Sequence, residues 1–185
     1  MPEAIISHAE DRMTKAITAL SHELSGVRTG RASGALLERL TVDYYGASTP
    51  LLQLAGVSTP EPQLLVIAPY DKSIMRAIEK AILASDLGLN PSNDGVIIRV
   101  PIPSLTEERR RELVKMCGKY AEESRVGVRN VRRDANDQLK KSEKDGNISQ
   151  DDLRRAEAEI QKLTDANIRE IDEMLKRKEL EIMEV

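Results

Sequence analysis

Phenylalanine and tryptophan are absent from this chain, and four tyrosines make up its whole aromatic complement, 2% of 185 residues. A core without them must be assembled from Leu, Ile, Val, Ala and Met, and platforms that stack nucleic-acid bases on aromatic rings are nearly excluded. Cys117 is the single cysteine, so no internal disulfide can form and a reducing compartment is expected. It falls on the apolar face of its helix, where a free cysteine is an ordinary core residue. Two histidines, His8 and His22, ride one helix two heptads apart, too distant to share a metal, with no cysteine or further histidine nearby. No metal site is expected, and both should face solvent. No apolar run approaches the ~20 residues of a membrane helix, and nothing at the N-terminus resembles a signal peptide. A soluble cytoplasmic monomer with no membrane partner is the expectation.

Catalytic patterns are also missing. Arg28-Thr-Gly-Arg-Ala-Ser-Gly34 sets two glycines among arginines but lacks the spacing and the Lys-Ser/Thr end of a phosphate loop. No Ser-His-Asp set or metal cluster supports a reaction, so neither enzymatic activity nor a cofactor is expected. The 28–34 segment reads instead as a linker carrying two arginines.

What the chain does have is charge, 32% of its residues, with a net of only −3. The charge is segregated. From Glu107 to Arg133 there are nine Lys or Arg against five Glu, and from Ser149 to Val185 seven against eleven acids. Thr106 to Lys141 contains no proline and repeats Leu113, Cys117, Tyr120, Ser124, Val128, Val131, Ala135 and Leu139 at steps of three and four, predicting one long amphipathic helix. Winding it at ~100° per residue gathers Arg111, Lys115, Arg125, Arg129, Arg132 and Lys140 into a stripe beside that face, open to solvent.

Two further helices complete a bundle. Residues 3–27 place Ile6, Met13, Leu20 and Val27 seven apart, the seam of an antiparallel bundle. Ser149 and Asp152 form a capping box that starts the last helix, and Asp145-Gly146-Asn147 supplies a turn short enough to make the second and third helices antiparallel. Between them the pattern changes to short strand-like runs around Leu40–Gly46, Leu54–Thr59, Gln63–Pro69 and Val96–Val100, with a helix over 73–85. The predicted fold class is α+β: a three-helix bundle from residues 1–29 and 105–185, with a β/α/β domain inserted at 30–104. Gly30 and Gly34 on one side and Pro101 and Pro103 on the other mark two hinge linkers.

Five words then coincide: Arg28-Thr-Gly-Arg-Ala32, Asp43-Tyr-Tyr-Gly46, Ser85-Asp-Leu-Gly-Leu-Asn-Pro91, Leu105-Thr-Glu-Glu-Arg-Arg110 and Val128-Arg-Asn-Val-Arg-Arg-Asp-Ala135. Together they resemble the ribosome recycling factor family over essentially the whole chain. The resemblance implies an L-shaped two-domain protein that binds the post-termination ribosome. With elongation factor G and its GTP, such a protein splits the subunits and frees the mRNA. It also implies that Arg28, Arg31, Arg129, Arg132 and Arg133 meet large-subunit ribosomal RNA. Arg125 joins them as a member of the stripe. Structured RNA read by shape calls for arginine forks on phosphates, and no aromatics, which agrees with the composition. The heptads alone also allow a coiled-coil scaffold that binds protein partners.

Overall fold

In the computed structural model, which describes residues 2–184, the chain divides into two compact units. One takes both ends of the chain, up to Arg28 and from Glu107 onward, and the other is Thr29–Thr106.

The first unit is a bundle of α1 (Pro2–Ser25), α4 (Glu107–Lys144) and α5 (Gln150–Met183), each packed against the other two. Its core is the meeting of three stripes. Ala9, Met13, Leu20 and Leu24 come from α1, and Leu113, Cys117, Ala121, Val128, Val131, Ala135 and Leu139 from α4. Ala156, Ile160, Ile171 and Ile182 come from α5. The expected seam of α1 is modified at its ends: Ile6 is only partly buried, and Val27 is buried but lies beyond the helix. Cys117 is fully buried, and that burial pushes its thiol above the ordinary range. His8 and His22 are exposed. Thr164 is the one buried polar side chain among the described residues, and its hydroxyl donates to the Ile160 carbonyl at 2.8 Å. That bond removes the cost of burying it unpaired.

The connection between α4 and α5 is closed at both ends by local chemistry. Gly146, with φ at +76°, lets the chain leave α4 in the left-handed conformation. The Asn147 amide then donates to Ser142 O at 2.8 Å and the Gly146 amide to Glu143 O at 2.9 Å, the paired bonds of a Schellman motif. Four residues after the glycine, α5 begins in a reciprocal cap. The Asp152 amide donates to Ser149 Oγ at 3.1 Å, and the Ser149 amide to Asp152 Oδ2 at 3.3 Å.

The second unit begins with a hairpin of β1 (Thr41–Tyr44) and β2 (Ala47–Pro50). Tyr45 and Gly46 form its two-residue loop with φ of 50° and 84°, as a type I′ turn requires. A single helical turn, α2 (Leu51–Leu54), leads into a four-stranded antiparallel sheet. Its order is β3 (Ala55–Glu61), β4 (Leu64–Pro69), β6 (Ile98–Pro101) and β5 (Ser92–Asn93). Helix α3 (Met75–Ala84) turns Met75, Ile78 and Ile82 into a cluster with Leu65 and Ile67 of β4 and Ile98 and Val100 of β6. Alternate residues of both central strands therefore face one core. None of the helices among the described residues is long and apolar enough to cross a membrane.

Asp94 fixes the turn into β6. Its Oδ1 accepts from the Val96 and Ile97 amides at 3.0 and 2.9 Å, and its Oδ2 from Arg99 Nη1 at 2.9 Å. These bonds, the Ile97 amide foremost, hold the carboxyl down at about 2 against an ordinary 3.8. A depressed folded-state value stabilises the fold above the unfolded value and loses that effect as pH falls through the folded one. Asp94→Asn should therefore reduce amide-exchange protection at Ile98 and Val100 at pH 6. The difference from the parent should shrink as pH approaches 2, and an equal difference at both ends would contradict the assignment.

Candidate nucleic-acid interface

Helix α4 carries its basic residues on a surface whose flanks are tied down. On the α1 side, Arg12 Nη1 meets Asp134 Oδ2 at 3.0 Å and Ser124 Oγ donates to Ala16 O at 3.4 Å. Asp134, the acid inside the Val128–Ala135 word, is thus paired with α1 and makes no ion pair with the arginines preceding it among the described residues. On the α5 side, Arg125 donates through Nε and Nη2 to Asp172 Oδ1 at 2.9 and 2.6 Å, and through Nη1 to Glu122 Oε2 at 3.0 Å.

The stripe expected to be open is therefore graded. Arg125 keeps only 19% side-chain exposure, because it faces Asp172 where α4 and α5 pack and its fork is divided between two carboxylates. The sequence placed it with the solvent-facing arginines, whereas the fold uses it to join two helices. Arg129 is 39% exposed and donates Nη1 to Glu122 Oε1 at 3.2 Å. Glu122 is thereby bound to two guanidiniums, Arg125 first, which hold its carboxyl below the usual range. Arg132, half-buried, and Arg133, exposed, make no ion pair or side-chain hydrogen bond among the described residues. At the far end, Arg111 is paired with Glu107 one turn earlier.

Arg28 and Arg31 are both exposed, but Arg28 belongs to the bundle unit and Arg31 to the other. Arg125, Arg129, Arg132 and Arg133 are brought together by α4 itself, which does not include these two. Sequence reasoning missed Glu122 and Asp172. The i,i+3 spacing of Glu122 and Arg125 was a usable signal, while Asp172 lies across the helix pair and leaves none.

The expected hinge residues also divide. Gly30 has φ of +77°, a conformation that strains any other residue, and a Cβ there would also press on the Leu105 side chain at 3.3 Å. Gly34 instead opens a 3-10 turn, Gly34–Leu37, behind the Ser33 cap. Pro101 ends β6 opposite Leu64, where β5 no longer reaches, so its missing N–H interrupts no ladder. Pro103 follows the buried Ile102. Both segments are fastened to the turn between β3 and β4. The Ala32 amide donates to Pro62 O at 2.6 Å, the Ile102 amide to Gln63 O at 2.8 Å, and Gln63 Nε2 to Ser104 Oγ at 2.8 Å. No cluster of His, Cys, Asp and Glu suited to a metal occurs among the described residues.

The family model described as "Ribosome recycling factor" matches residues 20–183. Ribosome-recycling factors of Geobacillus sp. (strain WCH70) and Shouchella clausii (strain KSM-K16) are 59% and 60% identical, each alignment covering 100% of both chains. Among solved structures, a solution structure of a ribosome recycling factor superposes with a TM-score of 0.78 at 47% identity, covering 100% of this chain and 98% of the other. The T. thermophilus ribosome recycling factor, described with E. coli elongation factor G bound to the E. coli post-termination complex, gives 0.66 at 49% identity with 100% of both chains covered.

Proposed function

The chain belongs to the ribosome recycling factor family, and from that premise we propose that it binds the post-termination ribosome and, with elongation factor G and GTP, separates the subunits and releases the mRNA. The coiled-coil scaffold reading gives way to this one. The observation that carries the mode of binding is the pair Arg132 and Arg133, unpaired among the described residues and adjacent to the half-held Arg129. Guanidinium forks kept free of carboxylates are what a phosphate backbone recognises, and no aromatic platform is needed for structured RNA. Arg129, Arg132 and Arg133 therefore contact large-subunit RNA, with Arg28 and Arg31 as further contacts and Arg125 as their anchor within the bundle. The site of action is the cytoplasm. The chain contributes binding and motion, and GTP is hydrolysed by the partner. Purified protein should split post-termination ribosomes only when elongation factor G and GTP are both supplied. Splitting with either one omitted, or saturable nucleotide binding by the isolated chain, would overturn this reading.

Motion is assigned to the junctions. Ala32, Ile102 and Ser104 are held by the β3–β4 turn, and rotation is assigned to the two places where the chain crosses between the units, Arg28–Thr29 and Thr106–Glu107. Two parallel connections restrict twisting and permit rotation of one unit against the other. A disulfide introduced to clamp the two units should lower the splitting rate more than the initial binding; splitting at full rate would count against a hinge.

A further inference from the structure

We propose that Glu122 is an internal stand-in for phosphate that makes the arginine surface discriminate between its ribosomal target and other RNA. The inference rests on the reading of Arg129, Arg132 and Arg133 as RNA contacts, and it names what regulates them. A carboxylate presents two oxygens to a guanidinium much as a phosphate does. Glu122 presents one to each neighbour: Oε2 to Arg125 at 3.0 Å and Oε1 to Arg129 at 3.2 Å. The two bonds are unequal in consequence. Arg125 is covered and held from behind by Asp172, so it fixes Glu122 in place. Arg129 is half exposed and has this single long bond, so it can exchange it for an RNA phosphate while four of its five N–H donors remain uncommitted.

The carboxylate stays behind after such an exchange. Glu122 is 55% exposed, and bonding to Arg125 keeps it charged. A phosphate reaching Arg129 from the Glu122 side meets repulsion, whereas one seated toward Arg132 and Arg133 is about two to three helical turns from that carboxylate. An RNA whose phosphates are arranged to suit that end is accepted; one that merely follows the positive field is penalised. Like charges placed against the wrong partner are an effective source of selectivity.

The test compares Glu122→Gln with Glu123→Gln, which removes the same charge from the next residue, exposed and touching no arginine among the described residues. Binding is measured to purified large ribosomal subunits and to an unrelated RNA hairpin, across a salt series. Glu122→Gln should tighten binding to the hairpin by about 2- to 5-fold, the range set by release of an exposed ion pair. It should raise affinity for large subunits less, so the ratio of the two affinities falls. Glu123→Gln should leave the ratio at its parent value. An unchanged ratio in Glu122→Gln, or equal falls in both variants, overturns the proposal. Arg132→Ala is the third arm. If it weakens large-subunit binding while Glu122→Gln keeps the ratio, only the role of Glu122 fails. If Arg132→Ala has no effect, the RNA reading fails and this inference with it.

Discussion

Replacing Arg132 with alanine is expected to weaken binding to large ribosomal subunits by roughly 10- to 100-fold, the value of a charge-assisted hydrogen-bond pair to phosphate at ~1.5–3 kcal/mol. Folding should be almost untouched. Arg132 makes no ion pair or side-chain hydrogen bond among the described residues, so the only loss is packing of its half-buried stem, about 1 kcal/mol or less. The salt dependence should carry a second signature, since each lost phosphate contact flattens the slope of log K against log salt by roughly 0.7 to 0.9. Arg129→Ala should lose less, because its guanidinium is already shared with Glu122. Glu159→Gln and Glu170→Gln, on exposed positions of α5, serve as controls and should bind normally. Normal folding of Arg132→Ala together with unaltered affinity and salt slope would reduce the arginine surface to a solvated helix face.

Ile160→Ala should cost the bundle about 2–5 kcal/mol, the range for emptying a large aliphatic site in a packed core. Ile160 is fully buried, and the bundle has no aromatic side chain in its core to swing into the gap. The lost contacts add to the lost transfer energy because surrounding helices relax only partly. The Thr164 hydroxyl keeps its acceptor, which is the backbone carbonyl of the altered residue, so the loss is one of packing alone. Chemical denaturation followed by helix signal should show the midpoint falling. Amide protection at Ile98 and Val100 should not change, since their cluster contains no bundle residue. A loss below about 1 kcal/mol would mean the site collapses freely, contrary to the packing described.

The bundle was largely legible in the sequence because its signals are local. The stripe of α4, the capping box at Ser149 and the turn at Gly146 each depend on residues within a few positions of one another. The small strands were less so. β2 is Ala47-Ser-Thr-Pro50, polar and ending in proline, and it exists because the Tyr45-Gly46 loop folds it back on β1. β5 is two residues long and is defined by its pairing with β6. β3 runs through Pro60, which reads as a break; it is tolerated because β3 is an edge strand whose register shifts between Ser58 and Glu61. At the arginine surface, the cluster of Arg129, Arg132 and Arg133 was visible as a word. The covering of Arg125 depends on Asp172, 47 residues away, and on helix packing that no local pattern encodes.

The bundle is assembled from segments separated by the whole of residues 29–106, and that has a consequence for biosynthesis. During translation α1 leaves the exit tunnel first, with Met13, Leu20 and Leu24 uncovered. Its first partner begins to follow roughly 4 to 16 seconds later at typical elongation rates of about 5–20 residues per second. The intervening unit has its own core and can be complete before α4 emerges. The helical hairpin of α4 and α5, closed by a short turn at low loop-closure cost, is then the natural template on which the waiting α1 docks. Nascent chains stalled before α5 should therefore hold α1 in a chaperone-accessible state, and release of the last helix should be the step that shields it.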